Sequence, residues 1–346
     1  MKILITGATG LVGKSLLENL FIRGYSDINI VTRRDKVSTE DIPFPVNIFK
    51  WNPDTNFLEA GALNNVDVVI HLAGESVAES RWSKRKKESI LSSRLKSTRL
   101  LLEEIKRAPS KPKKFISASA IGIYGERGSE VLNEESIHGT GFLADVCKEW
   151  EDVVQNHTIT EMKSHSIRIG IVLAEGGGAL KKMLPPFKTG VAGILGNGKQ
   201  FMSWIHIDDL VGQFIFLMEN NTDHHIYNGV APSPVSNHSF TKILGKIIRR
   251  PTLFPIPAFG LKILFGEMSN ILLASQNVRS SRFIEAGFQF RFIQLEDALK
   301  NILGQSIKGE KKIKKYQWID EKTPEVFSFF SNIKNLEKIT PKYLNF

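Results

Sequence analysis

The chain has 346 residues, 42% of them apolar and 24% charged, with a formal net charge of +10 from 46 basic and 36 acidic side chains. Such a length and balance fit a globular protein of about two domains and exclude a disordered or fibrous chain. A lone cysteine, Cys147, excludes an internal disulfide. No apolar run reaches the length of a membrane span, and no charged-then-apolar leader precedes the first strand. A cytoplasmic protein without a membrane partner is therefore expected. The basic excess gathers in residues 81–114 and 308–315 without interleaved aromatics, so a solvated lysine face is expected rather than a nucleic-acid partner. The histidines show no metal-ligand spacing, and no metal is expected.

Lys2 to Thr6 reads as a short buried strand. It enters a turn with glycines at Gly7, Gly10 and Gly13, and Leu11 to Arg23 follows as a helix that Gly24 can stop. Strand, glycine turn and helix make a phosphate cradle, because glycine admits close backbone approach and the helix start offers free amides. The spacing is a variant of the dinucleotide fingerprint. It also comes within one substitution of a P-loop, with Ala8 in place of its first glycine, Lys14 for the phosphates and Ser15 for Mg²⁺. Asp27 to Thr32 reads as a second strand ending in Arg33-Arg34. An NAD site wants an acid there for the ribose 2′-OH, whereas arginine suits the 2′-phosphate of NADP, so NADP(H) is the expected cofactor. Val46 to Trp51 and Asn65 to His71 read as the third and fourth strands, the latter running into Leu72-Ala73-Gly74. A helix from Ser83 to about Arg107 leads to a fifth strand, Lys114 to Ser119. No strand ends in the acid that a P-loop enzyme needs for its metal, which leaves the NTPase as a remote alternative. Strand alternating with helix through residue 175 predicts an α/β fold, a Rossmann-type doubly wound parallel sheet.

These residues resemble the extended short-chain dehydrogenase/reductase superfamily. The matching pieces are the glycine turn, Leu72-Ala73-Gly74, the segment from Ser117 to Gly125, and that from Gly196 to Asp209. The wording is most similar to an atypical branch described as NAD-dependent epimerase/dehydratase, which has its own small C-terminal domain. Arg81-Trp82-Ser83, Ser93-Arg94, Gly141 to Ala144, Gly176 to Leu180, Ser203 to His206 and Gly266-Glu267 carry that resemblance. It implies a cofactor site of Gly7, Thr9, Gly10, Leu11, Val12, Gly13, Arg33, Arg34, Leu72, Ala73, Gly74 and Arg94. It also implies that Ser119 polarises a substrate oxygen, with Glu75, Gln200 and Trp204 in the substrate pocket.

Superfamily enzymes use Tyr-x-x-x-Lys as their acid/base pair. Here the five tyrosines, at 25, 124, 227, 316 and 343, never have lysine four residues on. Alignment on Glu151 puts Leu143 at the tyrosine position and Cys147 at the lysine position. Lys148, Tyr124, His206 and Glu75 are the remaining candidates for a proton donor, and a cofactor-binding protein without turnover is the alternative. Met202 stands where sugar-nucleotide enzymes carry a phosphate-gripping arginine. A small carbonyl or enone substrate is expected over a nucleotide sugar, whose epimerisation is a remote alternative.

Ser166 to Leu173 reads as a sixth strand, with Arg168 early in it, and Gly176 to Gly198 as a glycine-rich lid candidate. Ile207 to Glu219 reads as helix, His225 to Asn228 as strand, Asn237 to Arg249 as helix, and Ala258 to Leu303 as mostly helical. The expected division is a Rossmann domain over residues 1–235, with 176–204 on its substrate side, and a smaller, partly helical C-terminal domain over 236–304. A charged linker follows at 305–315. Residues 316–346 resemble the opening of a START-like, polyketide-cyclase-type domain, with an ordinary tail as the alternative. Oligomeric state is left open.

Overall fold

The computed structural model describes residues 1–38 and 42–304; the expected linker and tail, 305–346, lie outside the described residues. The buried segments β1 (Ile3–Thr6), β2 (Ile28–Thr32), β5 (Val68–His71) and β6 (Lys114–Ala120) and the more exposed β3 (Asn47–Asn52) are the parallel strands, with β4 (Phe57–Leu58) folding back antiparallel on β3. With β8 (Lys163–Ile169) and β12 (Ile226–Gly229) they form one eight-stranded sheet in the order β12-β8-β6-β5-β1-β2-β3-β4. Every pairing except β3 with β4 is parallel. The order reverses between β1 and β5, and a crevice at such a switch point is where doubly wound sheets take ligands. Helix α1 (Leu11–Ile22) packs with α5 (Ile207–Glu219), and α2 (Lys84–Arg107) packs with α3 (Phe142–Gln155). The doubly wound expectation therefore holds. Ser83 starts α2 as read from the sequence, its hydroxyl accepting from the Lys86 amide at 3.2 Å.

The expected single strand Ser166 to Leu173 is in fact two. It breaks at Gly170, and β9 (Ile171–Ala174) leaves the main sheet to pair in parallel with β11 (Trp204–His206). The cause is close approach: a Cβ on Gly170 would lie 2.6 Å from the Ser203 carbonyl oxygen and 2.8 Å from Val230 Cγ1. Beyond the break a second core forms. Leu173, Leu180, Phe187 and Trp204 meet Phe240, Leu244, Leu295 and Leu299 there, so residues on both sides of the expected boundary at 235/236 share it. The glycine-rich lid candidate is not an open loop, since it holds helix α4 (Gly178–Lys188), anchored in that core by Leu180 and Phe187.

The remaining elements are α6 (Asn237–Ile248), α7 (Ala258–Phe265), α8 (Asn270–Leu273), α9 (Ser281–Glu285) and α10 (Leu295–Ile302). Short pairings stitch the two parts together. Strand β7 (Val131–Leu132) pairs with β14 (Asn277–Val278), and β10 (Phe201–Met202) pairs with β13 (Val235–Ser236). Phe283 of α9 enters the main core beside Tyr227, with ring centroids 4.7 Å apart. Among the described residues no helix is long and apolar enough to cross a membrane.

Gly170→Ala should lower stability by about 1–3 kcal/mol, the usual cost of forcing an extra methyl into a packed site. Urea unfolding of the variant against the parent chain reads it, and an unchanged midpoint would show that the strand break tolerates a side chain.

Candidate active site and cofactor cradle

The glycine turn is shaped by contact rather than by sequence pattern alone. Gly7 adopts φ +69°, and a Cβ there would lie 2.8 Å from the Leu72 carbonyl carbon and 3.0 Å from the Ala73 nitrogen. A Cβ on Gly13 would lie 2.3 Å from the Gly7 oxygen. Side chains are thus excluded where the backbones of the β1 and β5 loops meet. Gly10 occupies the N-cap of α1 without a side chain to cap it, leaving the first-turn amides to a ligand. The Lys14 amide already donates to the Gly10 carbonyl at 2.9 Å. In a P-loop the amide of that lysine belongs to the phosphate cradle, so the P-loop alternative does not match this geometry.

Behind the turn lies a buried hydroxyl and imidazole chain. Thr6 Oγ1 accepts from the Leu72 and Ala73 amides, both at 3.1 Å, and lies 2.7 Å from His71 Nδ1. With its lone pairs taken, the threonine must donate to Nδ1, which leaves the imidazole proton on Nε2. Nε2 lies 3.0 Å from Thr98 Oγ1, which also accepts from Trp150 Nε1 at 3.0 Å and donates to the Arg94 carbonyl at 2.7 Å. Burial, with a smaller push from Arg94, holds His71 down to about 3. It is a neutral fixture that sets the β5 loop.

Arg94 Nη1 donates to the Glu75 carbonyl at 3.0 Å, and the guanidinium lies over the Trp150 ring. A Cβ on Gly74 would sit 3.3 Å from its Cζ, so Arg94 underlies the Leu72-Ala73-Gly74 segment. Glu75 itself pairs with Lys86 at 2.6 Å. Arg33 and Arg34 are exposed just past β2. A groove runs from Arg33 past Trp51, Asp54 and Gly74 to Ser92, Ser93 and Lys96 on α2.

The expected catalytic residues occupy a different kind of environment. Ser119, only 4% exposed, donates to Glu151 Oε1 at 2.6 Å. Glu151 is gripped by Arg168, through Nε at 2.9 Å and Nη2 at 2.8 Å. Burial opposes a charge on Arg168, yet hydrogen bonds and attraction from Glu151 raise its pKa overall. Arg168 Nη1 donates to the Tyr124 hydroxyl at 2.8 Å, and that hydroxyl faces the Asn133 carbonyl at 2.9 Å and Asn228 Oδ1 at 2.8 Å. Tyr124 is fully buried, and burial raises its pKa despite Arg168. The expectation that Tyr124 supplies a proton is therefore corrected: its hydroxyl is a tie within a buried network.

His206 serves as the N-cap of α5, accepting from the Asp208 amide at 3.0 Å, and stacks on Phe292 with centroids 3.9 Å apart. These contacts are structural. Trp204 is fully buried in the second core, its Nε1 donating to the Ser233 carbonyl at 3.0 Å, so it does not line an open pocket. Gln200 is 7% exposed and donates to the Leu195 carbonyl at 3.0 Å, fastening a loop. Of Ser119, Tyr124, His206 and Lys148, Lys148 alone is exposed. Leu143 and Cys147 lie against the turn Ile121–Tyr124 that follows β6. A Cβ on Gly122 would lie 3.3 Å from Leu143 Cβ and 3.9 Å from Cys147 Sγ. Burial, then Glu151, pushes the Cys147 thiol up to about 12, so it is inert as a base.

Two residues escaped the sequence reading. Glu151 served there only as an alignment mark, although an acid on the apolar face of an amphipathic helix is itself a signal for a buried partner. His138 lies in the loop before α3, its Nε2 3.2 Å from Arg168 Nη2. Since a guanidinium can only donate, Nε2 is the acceptor and the proton sits on Nδ1. Burial, with Arg168 adding to it, lowers the His138 pKa. Among the described residues no group of three or more His, Cys, Asp or Glu is placed to hold a metal ion.

Comparison with known proteins gives a consistent result. Residues 3–145 match the NAD dependent epimerase/dehydratase family, and residues 256–302 match a domain of unknown function, DUF1731. The chain is 36% identical to the chloroplastic SDR39U1 homolog of Arabidopsis thaliana, an epimerase family protein, over 88% of this chain and 87% of that one. It is similar to a crystal structure of human epimerase family protein SDR39U1 with NADPH, with 31% identity, a TM-score of 0.80, and coverage of 88% of this chain and 99% of the other. A nucleoside-diphosphate sugar epimerase from Corynebacterium glutamicum superposes with a TM-score of 0.70 at 30% identity, covering 98% of this chain and 66% of that one.

Two outcomes follow from this geometry. Arg168→Met should cost about 3–5 kcal/mol by stranding the Glu151 carboxylate, and adding Glu151→Met should recover most of it. Chemical denaturation of Arg168→Met, Glu151→Met and the double variant tests this, and additive losses would refute it. His71 takes a proton near 6.5 when unfolded but only near 3 when folded. Its contribution is full above pH 6.5 and is lost as pH falls toward 3, at up to about 1.4 kcal/mol per pH unit. His71→Asn should flatten that limb of the stability profile; an identical slope would remove His71 as its source.

Proposed function

Because the chain belongs to the NAD dependent epimerase/dehydratase family, in its SDR39U1-like branch, we propose that it binds NADP(H) along the Gly7–Gly13 turn and works as an oxidoreductase on a small carbonyl or enone compound. The observation that carries the cofactor assignment is the pair of collisions at Gly7 and Gly13, which reserves side-chain-free backbone at the sheet's switch point. The human relative was crystallised with NADPH, which supports the phosphorylated cofactor. Exposed Arg33 and Arg34 supply charge where a 2′-phosphate would lie.

When bound, a nicotinamide supplies the hydride. What this chain adds is an apolar neighbour, Leu143, at the place where the superfamily puts an ionisable tyrosine. That favours an acceptor whose carbon takes hydride without a protein acid beside its oxygen, as a conjugated carbonyl does. Lys148, exposed on α3, and water are the proton sources in this reading. Ser119 directs its own proton to Glu151, so toward a ligand it offers lone pairs and acts as an acceptor. A second reading is favoured by that same locking of Ser119 and Tyr124: a cofactor-binding protein that responds to NADPH without turning over a substrate.

The two separate in one assay. NADPH oxidation measured over a panel of enones, quinones and simple carbonyls should find turnover with a conjugated acceptor, reduced several-fold in Lys148→Ala. NADPH binding without turnover across the panel would instead support the regulatory reading. Replacing Arg33 and Arg34 by alanine should weaken NADPH far more than NADH; equal losses would overturn the NADP assignment.

A further inference from the structure

The groove beside the glycine turn contains an ion pair that no site residue explains so far. Lys96 of α2 reaches across it to Asp54, with Nζ 2.7 Å from Oδ1. Asp54 stands in the turn after β3, its amide donating to Asn52 Oδ1 at 3.0 Å, which fixes where its carboxylate can reach. Arg33, past the end of β2, lines the same groove. The Lys96 hydrogen bond, against a smaller opposing effect of burial, holds the Asp54 carboxyl below its ordinary range, and Arg33 adds to that pull. Lys96 thus holds the Asp54 carboxylate directly, with Arg33, from a separate element, in the same groove. The other charged groups nearby are committed: Glu75 pairs with Lys86, and Lys50 lies 3.9 Å from Asp35.

A surface ion pair of this kind is worth little as a brace, since both side chains are well exposed. Its location is more informative. Arg33 is the residue at which the NADP reading places the 2′-phosphate, and Lys96 and Asp54 share its groove. Resting on that reading, we propose that Lys96 is a further cation of the 2′-phosphate seat and that Asp54 is an internal stand-in for the phosphate, displaced when the cofactor binds. Lys96 and Asp54 then set the preference for the phosphorylated over the unphosphorylated dinucleotide. A phosphate monoester carries more negative charge than a carboxylate and has three acceptor oxygens, so Lys96 gains by exchanging partners. Asp54, left beside the incoming phosphate, opposes it by like charge.

Opposite signs follow for the two residues. Calorimetric titration of the full chain with 2′,5′-ADP and with AMP reads them directly and needs no turnover. Lys96→Met should weaken 2′,5′-ADP about tenfold while leaving AMP within about twofold, and should reduce the salt dependence of 2′,5′-ADP binding. Asp54→Asn should tighten 2′,5′-ADP about three- to tenfold. A melting curve confirms that each variant is folded. If the parent chain prefers 2′,5′-ADP and Lys96→Met keeps that preference, the proposal is overturned while the NADP assignment stands. Equal weakening of both ligands by Lys96→Met, or weaker 2′,5′-ADP binding in Asp54→Asn, also overturns it. A parent chain that binds 2′,5′-ADP no better than AMP removes the NADP assignment, and the proposal with it.

Discussion

The interaction on which this structure most depends is the buried ion pair between Arg168 of β8 and Glu151 of α3. Two charges taken out of water are expensive unless their remaining hydrogen-bonding capacity is met. Here it is met from several directions at once. Ser119 of β6 completes the carboxylate, and the Tyr124 hydroxyl takes one arm of the guanidinium while His138 takes another. Tyr124 passes the constraint on to Asn228 of β12. One pair of charges therefore fixes β6, β8, β12 and α3 in register at the carboxyl end of the sheet, the side on which a dinucleotide is read. The same pair withdraws Ser119 and Tyr124 from free proton chemistry. Rigidity and reactivity compete for the same hydroxyls, and in this chain rigidity has them.

The cofactor side shows a different division of labour. Glycines at Gly7 and Gly13 remove bulk, and the neutral Thr6–His71–Thr98 chain fixes the β5 loop against them. Exposed cations stand at the rim, at Arg33, Arg34 and Lys96, while the part-buried guanidinium of Arg94 underlies Leu72-Ala73-Gly74. Exposed rim charges let affinity for an anionic ligand be tuned without disturbing the buried scaffold.

Most of the fold was legible because buried parallel strands are short, mainly apolar runs, and β1, β2 and β5 are of that kind. The glycine turn and the start of α2 at Ser83 are local signals and were equally plain. What escaped depends on distant partners. Ser166 to Leu173 is continuous in hydropathy, and only the approach of Ser203 and Val230 to Gly170 divides it. Trp204 beside Gln200 and Phe201 fits a pocket wall and a core equally well, and the second core that claims it is assembled from residues as far away as Leu299. Glu151 and Arg168 are 17 positions apart, and Asp54 and Lys96 are 42 apart. No periodicity links such pairs: an acid on the apolar face of α3 signals a buried partner without saying which, and the ion pair across the groove had no signature in the chain.

The placement of Phe283 within the main core has a bearing on how the protein comes into being. The residues that complete the packing around Tyr227 and Phe216 stand near the far end of the described chain. A ribosome delivering the polypeptide from its N-terminus presents the whole eight-stranded sheet long before that plug is available. Until Phe283 emerges, Tyr227 and Phe216 lack the ring that packs on them, so the aromatic seam at this edge of the core is closed last.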